Sequence, residues 1–201
     1  TTILAMVYDG GVLCAADGRT AGGAYISNKT ADKIWPIARN IFALKAGTAS
    51  DSQFLVGQAK NYVSQFAIEY GDVPPVKVAA RILQQFQYMY KKYLSCVLIV
   101  AGVDNLEGPC IYTVGQGGST MKMNIAANGS GSTYVMGYLD KNYKPGMTRQ
   151  EAKELLKNAV TLAMFRDGSS GGIIRLLDIR KDGVTREYFA GKDIQFPVPN
   201  N

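Results

Sequence analysis

The order in which two hydrophobic periods follow one another along the chain is the tightest constraint on its fold. Residues 2 to 8 and 11 to 17 are apolar and partly β-branched, with Asp9-Gly10-Gly11 between them, and read as two strands of a tight hairpin. Strand patterns continue at 19 to 27, 34 to 38 and 41 to 46. The period then becomes helical. Ser50-Asp51-Ser52-Gln53 has capping-box spacing, and Leu55, Ala59, Tyr62, Val63, Phe66 and Tyr70 recur on one face before Gly71. Pro74-Pro75 announces a second helix over 76 to 93. Strands return at 96 to 103, 110 to 115 and 119 to 127, divided by Asp104-Asn105, Gly108-Pro109 and Gly117-Gly118. Gly129-Ser130-Gly131 leads into a short helix ending near Tyr143. The capping box Thr148-Arg149-Gln150-Glu151 then opens a helix that buries Ala152, Leu155, Leu156, Ala159, Val160 and Ala163. Strands at Ile173 to Ile179 and Thr185 to Ala190 flank the turn Asp182-Gly183.

Strands, two helices, strands, two helices, strands: this is not the strict βαβ alternation of a doubly wound parallel sheet. Two stacked antiparallel sheets with helices outside satisfy it, an α+β fold of four layers. The 201 residues, 47% of them hydrophobic, can bury one such core without disulfides, and no linker, low-complexity stretch or solenoid repeat divides them. A single domain over 1–201 is expected.

Histidine is absent, which removes every Ser-His-Asp and Cys-His mechanism and any zinc site built on imidazole. Cys14, Cys96 and Cys110 lack CxxC spacing and lie in apolar strand patterns, as buried free thiols do, which points to a reducing compartment. The sequons at Asn28 and Asn128 then go unused. The opening Thr2 to Ala16 is broken by Asp9, Gly10 and Gly11 and has no basic start, so neither a signal peptide nor a membrane span is expected. The net charge of +6 is scattered; its one cationic doublet among aromatics, Tyr90-Lys91-Lys92-Tyr93, sits late in a helix, where the dipole favours cations, and no nucleic-acid partner is expected. Gly115-Gln116-Gly117-Gly118 lacks phosphate-loop spacing, and no cofactor is implied.

The chain begins with Thr1, which puts a hydroxyl and an α-amine on one residue. Trimming of an initiator methionine leaves the same end in many proteins without catalytic purpose. The chemical alternative is that the amine serves as base: a hydroxyl is a weak nucleophile unless a neighbour takes its proton, and an α-amine, with a reference pKa of roughly 7.7 to 8.0, is substantially neutral near physiological pH. Asp17, closing the second strand, and Lys33, opening a later one, would shift one another if they met in the interior. Spacing alone leaves that open, and it leaves the two Gly/Ser segments readable as plain loops.

Six ordered segments carry a resemblance. Thr1-Thr2, Ala16-Asp17-Gly18-Arg19-Thr20, Asp32-Lys33, Gly47-Thr48-Ala49-Ser50-Asp51, Gly129-Ser130-Gly131-Ser132 and Arg166-Asp167-Gly168-Ser169-Ser170-Gly171-Gly172 together resemble the catalytic beta-type subunits of the 20S proteasome, from Thr1 to about Ala190. The resemblance implies the four-layer αββα sandwich of N-terminal nucleophile hydrolases. It implies that Thr1 attacks the scissile carbonyl and that Lys33, held by Asp17, promotes loss of the hydroxyl proton. Ser130, Asp167 and Ser170 then surround the Thr1 amine, and the Gly47 N–H faces the oxyanion. Which group first takes the proton stays open. Thr20, Ala31, Lys45, Ala49 and Gln53 match positions that line the substrate pocket. The caspase-like branch has an arginine where this chain has Lys45, the chymotrypsin-like branch a methionine, and the trypsin-like branch a glycine with an acidic pocket. Lys45 keeps the cation without the planar fork, Gln53 supplies no acid, and Ala31 replaces a common threonine and enlarges the pocket, so cleavage after acidic residues with some tolerance of apolar ones is expected. The resemblance further implies unfolded polypeptides as substrates, rings shared with other beta-type and alpha-type subunits, and a cytoplasmic and nuclear location. Two alternatives stand beside it: an inactive structural ring subunit, and a bacterial-type threonine peptidase with an ATPase partner.

Overall fold

In a computed structural model, which describes residues 1–23 and 25–195, two five-stranded antiparallel sheets are stacked face to face and each carries a pair of helices on its outer side. The first sheet has the order β10-β1-β2-β11-β12, with β1 Ile3–Tyr8, β2 Gly11–Asp17, β10 Ile125–Asn128, β11 Ile174–Arg180 and β12 Gly183–Phe189. The second runs β5-β6-β7-β8-β9, with β5 Ile34–Ala38, β6 Ile41–Gly47, β7 Cys96–Asp104, β8 Gly108–Val114 and β9 Thr120–Met123. Helices α1 Ala49–Tyr70 and α2 Val76–Met89 cover the second sheet, and α3 Ser132–Asn142 and α4 Arg149–Arg166 cover the first.

Three apolar clusters fill the three interfaces of this αββα sandwich. Ile3, Ala5 and Cys14 meet Leu44, Ile99 and Ile111 between the sheets. Their neighbours Leu4, Met6 and Ala15 face Leu155, Leu156 and Ala159 of α4. Both faces of β1 and β2 are therefore buried, which is why those strands read as continuous apolar runs instead of alternating ones. Leu98 and Val100 of β7 pack outward on Leu55, Ala59 and Val63 of α1. All three cysteines are buried and unpaired.

Several boundaries differ from the expectation, among them four that bear on the layers. The strand pattern over 19 to 27 is two short strands, β3 Thr20–Gly22 and β4 Tyr25–Asn28, bulged at Thr20/Ala21 and paired only with one another, with every residue of β4 exposed. The run over 119 to 127 breaks at Asn124, whose carbonyl accepts from Val7 N–H (2.8 Å), so β9 pairs with β8 in one sheet and β10 with β1 in the other. One continuous run thus passes from one sheet to the other along their edges, with Asn124 exposed at the switch. Helix α1 starts two residues early, with Thr48 at the N-cap position making no side-chain cap bond: Ser50 and Asp51 lie inside it, and the Asp51 carboxylate accepts from Ser95 N–H (3.0 Å) ahead of β7. Its buried stripe runs through Ser52, Leu55, Val56, Ala59 and Val63, leaving Tyr62 and Tyr70 exposed. Helix α2 ends at Met89, because both Tyr93 N–H and Leu94 N–H return to the Tyr90 carbonyl and turn the chain toward β7. The Thr148 capping box forms as expected, with Thr148 N–H donating to the Glu151 carboxylate at 2.8 Å.

Candidate active site

Antiparallel pairing of β1 with β2 sets Ile3 opposite Ala16, so Thr1 and Asp17 emerge together at one end of the first sheet. The Asp17 carboxylate is fully buried and accepts four hydrogen bonds: from Thr2 N–H (2.8 Å), Arg19 N–H (3.0 Å), Gly171 N–H (3.0 Å) and the Lys33 ammonium (2.6 Å). A buried carboxylate is tolerated only when so many donors replace its water. Lys33, immediately before β5, also donates to Thr1 Oγ1 at 3.1 Å. Burial pushes the Lys33 ammonium below the ordinary lysine range, and the Asp17 charge opposes that shift.

The other flank of Thr1 is reached from the end of α4. Asp167, the C-cap residue of that helix, accepts from Ser130 Oγ and from Ser170 Oγ, both at 2.7 Å, and from Ser169 N–H at 3.0 Å. Burial would raise its carboxyl pKa, but these hydrogen bonds outweigh burial and hold it below the usual carboxylate value. The Thr1 amine donates to Ser130 Oγ (2.9 Å) and to the Ser169 carbonyl (3.0 Å), with Asp167 Oδ2 at 3.6 Å. Burial lowers the amine's pKa below its ordinary 8.0, and the Lys33 cation adds to that; Asp17 and Asp167 pull the other way. One residue therefore carries a hydroxyl beside a cation and an amine with a weakened hold on its proton.

Gly47 ends β6 with φ +100°, a region that favours glycine, and a Cβ there would meet the Ser95 carbonyl at 2.6 Å and Cys96 Cα at 2.7 Å. Two residues earlier, Lys45 N–H donates to the Lys33 carbonyl at 2.9 Å, so the two lysines are cross-strand neighbours. The Lys45 ammonium is half-buried and lies 3.3 Å from the centroid of the Trp35 ring. Ala49 and Gln53 are exposed on the first turns of α1, four residues apart and hence on one helix face. Ala31, two residues before Lys33, is held by Gly18 O and by Arg175, while Thr20 belongs to the exposed β3–β4 hairpin. Direct hydrogen bonds join Thr1, Asp17, Lys33, Ser130, Asp167 and Ser170 into one cluster. Gly47 and Lys45 approach it through the β5–β6 ladder, and Thr20, Ala31, Ala49 and Gln53 make no hydrogen bond to Thr1. Crevices of about 510 Å³ beside Arg39 and Asp104 and about 600 Å³ between α2 and β8–β9 contain none of these residues.

Three participants escape the sequence reading. Thr2 Oγ1 is fully buried and donates to Ser170 Oγ at 2.7 Å, which ties the two flanks together, and a side chain at Gly131 would collide with it. Its signal is phase: Thr2 falls on the same strand face as Leu4 and Met6, which points into a helix-covered layer where a hydroxyl needs a partner. Arg19 clamps the 168–171 loop by donating to the Gly168 carbonyl (2.9 Å) and lying against Gly171. The Ser169 carbonyl, a backbone group, leaves no mark in a sequence. Among the described residues, no cluster of His, Cys, Asp and Glu is arranged to hold a metal ion.

The model of the proteasome subunit family matches residues 1–179. The chain is 45% identical over 199 residues to a probable proteasome subunit beta type-1 of Schizosaccharomyces pombe, covering 99% of this chain and 88% of that one. It is 44% identical to a proteasome subunit beta type-6 of Dictyostelium discoideum, covering 96% and 91% of the two chains. A proteasome subunit beta type-9 of Rattus norvegicus is 40% identical over 96% of this chain and 88% of its own length.

Proposed function

We infer the activity from two facts held together: the chain belongs to the proteasome subunit family, and its Thr1 hydroxyl lies within hydrogen-bond reach of a buried lysine. As a member of that family it assembles with other proteasome subunits. Within the assembly it is a catalytic beta-type subunit, a threonine endopeptidase. The observation that carries this reading is the Lys33 ammonium bridging Asp17 and Thr1 Oγ1, at 2.6 and 3.1 Å.

The chemistry follows from the two flanks. Lys33, charged and close, lowers the proton affinity of the Thr1 hydroxyl. Oγ1 attacks the scissile carbonyl carbon while its proton passes to the Thr1 amine, the base whose pKa burial has brought down. The Gly47 N–H faces the oxyanion, the kind of donor whose loss typically costs roughly 10² to 10³ in rate. As the C–N bond breaks, the amine returns the proton to the departing nitrogen. Water then hydrolyses the ester on Oγ1, and Thr1 is regenerated. Ser130 and the Ser169 carbonyl hold the amine in place throughout, with Asp167, itself held by Ser170, beside it.

Substrate choice rests on Lys45, whose cation at the groove attracts an acidic side chain before the cut, while Gln53 offers nothing to a basic one. Lys45→Met is the experiment: in peptide profiling, with the assembly's other active subunits blocked, cleavage after Glu and Asp should fall and cleavage after apolar residues rise. An unchanged acidic preference would remove Lys45 from the pocket.

A further inference from the structure

We propose that Trp35 is a specificity-positioning residue, whose indole face holds the Lys45 ammonium at the groove wall and thereby sets how strongly the subunit prefers acidic residues. This rests on the reading of Lys45 given above. The register of β5 and β6 places Ile34 opposite Leu44 and Trp35 opposite Ala43, and Lys33 faces Lys45 one rung earlier. Directly opposed residues share a face of the sheet, so Trp35 and Lys45 are diagonal neighbours on the side that α1 covers, within reach for a long and an aromatic side chain. They meet, with Nζ 3.3 Å from the ring centroid.

The ring is fixed from behind. Its Nε1–H donates to the Asp32 carbonyl at 3.0 Å, and the Asp32 carboxylate is held by Ile34 N–H and by Arg186 Nη1, both at 2.9 Å. The turn that aims Lys33 at Thr1 therefore also aims Trp35 at Lys45. The nature of the partner matters as much as its place. A carboxylate beside Lys45 would cancel the charge that a substrate must find, and the acid closest in effect, Asp32, is already engaged by Arg186. A π face holds an ammonium without neutralising it and leaves N–H groups pointing away from the ring. It also restricts a long side chain rich in rotamers, whose ordering an acidic substrate would otherwise have to offset.

The test is a double-mutant cycle on the assembled particle, with the other active subunits blocked and kcat/KM measured for peptides that differ only in Glu or Leu before the cut. Trp35→Leu should lower the Glu-to-Leu ratio about fivefold, the weight of one cation–π contact, and Trp35→Phe should recover most of it. In a Lys45→Met background Trp35→Leu should leave the ratio unmoved. Should Trp35→Leu fail to assemble, Trp35→Met carries the same expectation. Equal loss on both peptides, or a ratio that still falls without Lys45, would overturn the role of Trp35. If Lys45→Met alone leaves the ratio intact, it is the Lys45 reading that fails.

Discussion

Asp17, at the hydroxyl flank of Thr1, is fully buried and accepts hydrogen bonds from four donors on four stretches of chain, whereas Lys45, the proposed recognition residue, is half-buried and leans on the face of one ring. Two pieces of one site thus differ in how firmly they are determined. Where many partners fix a group, any change disturbs the fold and every substrate together. Where one soft contact fixes it, a change moves only the balance between substrates. Chemistry held rigidly beside recognition held loosely lets the second vary without endangering the first.

The largest effect should come at the point both flanks serve. Thr1→Ala should abolish this subunit's turnover while the particle still assembles, because the hydroxyl does chemistry and little packing; residual cleavage by the purified mutant, with the other subunits blocked, would contradict the assignment. Lys33→Ala tests the rigid side. It removes the cation from Thr1 and strands a buried carboxylate, so activity should fall roughly 10² to 10⁴ and stability by about 3 to 5 kcal/mol. Loss of activity with an unchanged melting temperature would show that Asp17 is less dependent on Lys33 than its burial suggests.

Asp167→Asn probes the amine flank. Burial already lowers the amine's pKa, and the Asp167 charge raises it, so losing that charge lowers it further. A base must be unprotonated to act, so the acidic limb of the kcat/KM profile should move to lower pH, with a drop of about tenfold in rate that is equal for acidic and apolar substrates. A limb displaced to higher pH would reject the amine as proton acceptor. Thr2→Val cuts the bond between the flanks and leaves Ser170 Oγ short of a donor, at a cost of about 1 to 2 kcal/mol, visible as a several-fold lower kcat with an unchanged substrate ratio. The smallest effect belongs to the wild-type wall. Burial pulls the Lys45 ammonium down to about 8, against the pull of Asp32. Lysine is cationic below its pKa, so the preference for acidic over apolar substrates should be full near pH 6.5 and fade as pH rises through about 8, while the Lys45→Met ratio stays flat.

The sequence made the layers legible because hydrophobic period is a local property: the hairpin about Asp9-Gly10, the Thr148 cap and the stripe of α4 all read directly. It concealed the switch of sheets at Asn124, since a strand that changes partners keeps its pattern, and the true start of α1, since Ser50-Asp51-Ser52-Gln53 has capping-box spacing although the helix already begins at Ala49. The site divides in the same way. Thr1, Asp17 and Lys33 were named from motif, but their meeting depends on pairing between residues far apart in the chain. Thr2 could have been found from its phase alone. The Ser169 carbonyl and the Gly171 N–H could not, because a backbone group has no letter of its own.

The central claim, that Thr1 Oγ1 is the nucleophile beside a Lys33 that activates it, is tested most directly by intact-mass and peptide mapping after exposure to a threonine-directed electrophile. The account predicts a single adduct on this subunit, located on Thr1, that is lost in Thr1→Ala and forms far more slowly in Lys33→Ala. Labelling at any other residue, or labelling of Thr1 at an undiminished rate without Lys33, would contradict it.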